Sequence, residues 1–65
     1  MQTITASLTG QGVEAGKSYT LEDMHVEPHP FGVVCRVVVS DELGQTFNVN
    51  SAQIMFDLDV SAMVA

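Results

Sequence analysis

Sixty-five residues carry eight carboxylates against two strong bases, for a net charge of −6, with 46% apolar residues and one cysteine. Such a length holds one domain, here residues 1–65, whose core supplies only about 3–5 kcal/mol of net stability. The charge excludes direct nucleic-acid binding, because phosphate backbones would repel the chain, and it disfavours an anionic membrane surface.

Further exclusions follow from single residue types. A lone Cys35 forbids an internal disulfide and a Cys-rich zinc site, and it suits a reducing compartment. The start, Met1-Gln2-Thr3-Ile4-Thr5, lacks the basic and apolar regions of a signal peptide. Apolar runs such as Val37-Val38-Val39 are too short to cross a bilayer. The expectation is a complete cytoplasmic polypeptide with no membrane association. The apolar content is high for a chain with so much surface, so part of it is expected at a protein partner or in a homodimer.

In chain order, Ile4, Ala6 and Leu8 alternate with Thr3, Thr5, Ser7 and Thr9, which predicts a half-buried strand ended by Gly10-Gln11-Gly12. Residues 13–17 form a turn, with Gly16 a candidate for positive φ. From Ser18 to Val26 a second strand is expected. Tyr19 and Leu21 share one parity and Met24 and Val26 the other, so a β-bulge at Glu22-Asp23 is needed to bring both pairs to the core. Glu27-Pro28-His29-Pro30-Phe31-Gly32 is read as a loop, because neither proline can donate to a ladder.

Val33 to Ser40 is the strongest strand. Val33, Cys35, Val37 and Val39 take the core face, and Val34, Arg36, Val38 and Ser40 the other. Asp41-Glu42-Leu43-Gly44 is a hairpin turn leading into Gln45–Asn50, with Phe47 and Val49 facing inward. Asn50 or Ser51 then caps a single helical turn, and Ile54, Met55 and Phe56 add apolar contacts. A short last strand is expected through Leu58 and Val60, before a tail at 61–65 that is open between strand, helix and fray.

The sum is an all-β domain: a five-stranded SH3-like barrel with one short helical turn before the last strand. The pattern Val13-x-x-Gly16-Lys17-x-Tyr19-Thr20-Leu21, the hairpin Asp41-x-x-Gly44 and Phe56 together resemble the SH3-like modules of small phage and prophage accessory proteins. The resemblance covers roughly residues 12–58. It departs from the peptide-binding SH3 domains of signalling proteins, whose groove tryptophan has no counterpart here. An OB-like barrel is the alternative, though it usually takes a longer chain.

No cofactor, metal or catalytic residue is expected. His25 and His29 are four apart on a strand entering a loop, and Cys35 belongs to the buried face, so the three do not make a metal site. Flanked by valines, Cys35 lacks the exposed, electropositive setting of a nucleophile. Glu22-Asp23, Asp41-Glu42 and Asp57-x-Asp59 fall in turns or at the bulge, where solvated charge is the ordinary outcome.

The partner-binding candidates are Val34, Arg36 and Val38, two valines around one of the only two strong bases, on a face directed to solvent. The second candidate is the loop bearing His29 and Phe31, where Phe31 either plugs a barrel end or meets a partner. The expected function is a non-catalytic protein-binding module that regulates or inhibits a host protein. A homo-oligomer or assembly subunit is the second reading, and an acidic nucleic-acid mimic the third.

Overall fold

The computed structural model describes residues 2–58. It contains β1 (Thr3–Thr5), β2 (Ser18–His29), β3 (Gly32–Ser40), β4 (Thr46–Val49) and α1 (Ala52–Met55). The strands form one antiparallel sheet in the order β1-β2-β3-β4, so the chain meanders from edge to edge. The protein is mostly β, and over the described residues the sheet is open. The fifth strand expected through Leu58 and Val60 is not seen at Leu58. Residues 59–65, with Val60 and the tail, lie outside the described residues.

The alternation of apolar residues sets one face of this sheet as the core. Ile4, Ala6, Val13, Tyr19, Cys35, Val37, Val39, Val49, Ala52, Met55 and Phe56 are buried together. Tyr19 anchors the cluster, meeting Phe47 and Phe56 edge-on at 6.2 and 6.4 Å between ring centroids. Its hydroxyl accepts the Glu14 N–H at 2.9 Å, so the one polar atom of the ring is satisfied.

Register shifts between Leu21 and Asp23, where the parity break required a bulge. Leu21, Met24 and Val26 all pack against the core as a result. Beyond the bulge β2 does not become a loop. It pairs with β3 as far as His29↔Gly32, and Pro30-Phe31 makes a two-residue turn. Proline is tolerated inside β2 for a geometric reason. His25 and Glu27 hydrogen-bond toward β3, so Met24, Val26 and Pro28 turn their main-chain groups to the outer edge, which no described strand covers. The missing N–H of Pro28 falls where no ladder bond is needed. The Met24 N–H is closed by the Asp23 carboxylate at 2.9 Å, so bulge, acid and proline all blunt this edge.

The β2–β3 hairpin outruns its neighbours. β1 pairs only with Ser18–Thr20, and β4 only with Val37–Ser40. Residues beyond them form a two-stranded arm, and the molecule measures 36 × 22 × 16 Å. Close to the turn end of this arm, Gln53 of α1 donates its Nε2–H to the Val33 carbonyl at 2.8 Å, well beyond where β4 has ended.

The remaining connections are fixed locally. Asp41 Oδ1 accepts the N–H groups of Leu43 and Gln45, each at 2.9 Å, which makes Asp41 a turn-forming residue. Ser51 does stand at the helix start, yet its side chain makes no cap bond. It lies at φ 54° and offers its carbonyl to Ile54 and Met55 instead. Leu8 and Ile54, expected inside, are exposed. β1 ends at Thr5, and Ser7 N–H donates to the Met55 carbonyl at 2.7 Å, which draws the outer edge of the first strand to the end of α1.

Candidate functional site

The outer face of β2–β3–β4 is built by the same alternation that fills the core. Cross-strand pairing sets Asp23 beside Val38 and Val38 beside Asn48, and in the next row His25 beside Arg36. Asn50 follows Val49 on the same side as Asn48. These residues line an open groove of about 320 Å³. An apolar floor at Val38 is flanked by an acidic strand on one side and two carboxamides on the other.

The main chain of Asn50 is held rigidly. Gln11 donates Nε2–H to the Asn50 carbonyl at 2.9 Å and accepts the Asn50 N–H at 2.7 Å, pairing as a neighbouring strand would. Gln11 reaches this position from a left-handed conformation, φ 52°, between Gly10 and Gly12. A side chain at Gly12, φ 95°, would meet the Phe47 ring, so glycine is required for this turn to close on β4.

Arg36 points outward as expected, and its guanidinium is already engaged. Arg36 Nη2 and Glu27 Oε1 are 2.9 Å apart, and His25 Nε2 meets the same oxygen at 3.0 Å. The expected apolar stripe is also less open than a free sheet face. Val34 and Val38 are half-buried between their cross-strand neighbours, and Val34 lies beyond the groove.

His29 and Phe31 occupy a separate place, the tip of the arm. Phe31 is 95% exposed and does not plug the body. Its ring sits 5.9 Å from that of His29, and its N–H donates to His29 Nδ1 at 3.3 Å. The structure therefore joins Arg36 and Val38 in one groove and leaves His29 and Phe31 on a distinct surface.

Four groove residues were not among the partner-binding candidates from sequence: Asp23, His25, Asn48 and Asn50. Parity carried the signal for all four. The bulge puts Asp23 and His25 opposite Met24 and Val26, and Asn48 and Asn50 alternate with Phe47 and Val49.

Cys35 is fully buried, and burial pushes its thiol above the ordinary value. It keeps to the core face and has no part in the groove. Among the described residues no group of three or more His, Cys, Asp or Glu side chains is placed to hold a metal, and no helix is long and apolar enough to cross a membrane. Comparison with protein-family profiles, curated proteins and solved structures returns no match.

Proposed function

We propose that this protein is a non-catalytic binding module that docks a protein partner on the outer face of β2–β3–β4. The observation that carries the reading is the groove itself. It combines a half-buried valine floor with fixed polar groups on two sides, and the one thiol, Cys35, faces the core. Regulation or inhibition of a host protein is the role such a small accessory module would play.

The proposal includes a finer fold, a five-stranded SH3-like barrel. Two features support it. The meander is followed by a single helical turn, and the Ser7–Met55 bond already brings the chain after α1 to the free edge of β1. A closing strand would continue along that edge.

Val38→Lys tests the docking face. Lysine beside Asp23 gains an opposite charge, so the fold is retained while the groove is filled. Cross-linking in native cells, followed by titration of the recovered partner, should show affinity reduced by about thirtyfold, equivalent to about 2 kcal/mol. An unchanged affinity in the folded variant removes this face from consideration.

Self-association through the arm is the second reading, favoured by the exposure of Phe31. Light scattering of the purified chain separates the two: a monomer at micromolar concentration leaves the external partner.

A further inference from the structure

We infer that the groove receives an extended, basic segment of the partner protein, with a lysine or arginine set against Asp23 and main-chain amides against Asn48 and Asn50. This rests on the outer face being the docking surface, and it adds the chemistry of what docks there.

The charges within the groove decide the sign. Arg36 is its only strong base, and Glu27 already neutralises it at 2.9 Å. Asp23 is different. Its Oδ1 accepts the Met24 N–H, which fixes the carboxylate at the rim and leaves its charge in place. Among the described residues no base lies within ion-pair distance of Asp23. Glu22 is held on the same face by the Ser40 hydroxyl at 3.1 Å, so a second carboxylate stands at that end. A chain of net charge −6 attracts a basic partner over distance and repels nucleic acid. A second copy brings the same −6 and is disfavoured for that reason.

The opposite wall decides the shape. Carboxamides carry both a donor and an acceptor, the pair needed to read a peptide unit. The Gln11 clamp holds the Asn50 main chain before any ligand arrives, so little ordering cost remains on binding. Between acid and amides, Val38 leaves room for one small apolar side chain. The groove is partly open to solvent rather than an enclosed cavity, which suits an extended segment better than a compact small molecule.

The probe is the peptide Ac-KAVAKAVA-NH2, with Ac-EAVAEAVA-NH2 as its charge-reversed control. Binding is followed by fluorescence anisotropy of labelled peptide and by amide shift mapping of the protein. The basic peptide should shift Asp23, Val38, Asn48 and Asn50, and the acidic one should bind at least about tenfold more weakly. Asp23→Asn keeps the acceptor for the Met24 N–H and loses the charge, so the variant folds and binding should weaken by about fivefold. Glu42→Gln, in the β3–β4 turn, should bind as the parent does.

Equal loss in Asp23→Asn and Glu42→Gln would reduce the effect to net charge and overturn the site. Equal binding of both peptides, binding of neither, or shifts confined to the arm tip would overturn it too. If Val38→Lys abolishes binding of the native partner while Asp23→Asn leaves it intact, the face stands and the basic chemistry falls.

Discussion

Glu27 and Arg36, on neighbouring strands, meet at 2.9 Å with their side chains 48% and 54% exposed. The exposure limits what the pair adds to stability, about 0–1 kcal/mol. Its larger effect is electrostatic: it removes the one strong positive charge from a groove whose rim is acidic.

Glu27→Gln therefore separates the two roles. Chemical denaturation should register a loss below about 1 kcal/mol. Binding of the basic peptide should weaken by about threefold, because Arg36 is left uncompensated in the groove, and added salt should narrow the difference. A large stability loss, or tighter binding, would contradict this account of the pair.

The buried thiol gives stability a pH dependence with a definite sign. The folded-state pKa of Cys35 is raised above the ordinary 9.0 by desolvation. The unfolded chain therefore releases its proton first, and the contribution is complete below about pH 9 and lost as pH rises toward the folded value. Urea midpoints measured from pH 7 to 10.5 should fall more steeply for the parent than for Cys35→Val. In native protein at neutral pH, a thiol reagent should label Cys35 only at the rate of opening; immediate labelling would deny its burial.

Gly12→Ala should be among the most damaging single changes. Both its left-handed φ and the Phe47 ring oppose a Cβ. The expected cost is about 1–3 kcal/mol, a large part of the stability available to a domain this small. Gly16, also left-handed at φ 85° but with no atom near a new Cβ, is the control, and alanine there should cost about 1 kcal/mol. Comparable melting temperatures for the two variants would refute a specific requirement at Gly12.

Phe31→Ser should leave folding intact, within about 0.5 kcal/mol, since the ring contacts little besides His29. If the arm mediates self-association, the same change should lower the scattering mass at high concentration. Marked destabilisation would show that the tip packs on the body after all.

Much of this fold was legible in the pattern of apolar residues. The parity slip between Leu21 and Met24 located the bulge, and the valines of β3 gave both faces of the central strand. The loop expected at 27–32 failed because prolines were weighed as ladder breakers without regard to edge position. Pro28 stands where its nitrogen faces no strand, a fact that depends on how far β1 extends. The groove was only half legible. Arg36 and Val38 stood out chemically, but their meaning changed once Glu27 proved to sit nine residues away in sequence and adjacent in space. Asn48 and Asn50 are ordinary strand polar residues until Gln11 is seen to lock one of them.

That lock joins residues 39 positions apart, whereas the β2–β3 hairpin closes over two residues. Loop-closure entropy favours the hairpin as the earlier event, forming on a scale of microseconds. The Gln11–Asn50 pairing requires most of the chain to be in place first. Completion of the groove is thus tied to the last stage of assembly, so partly folded chains would carry the arm and its exposed aromatic tip without the finished recognition surface.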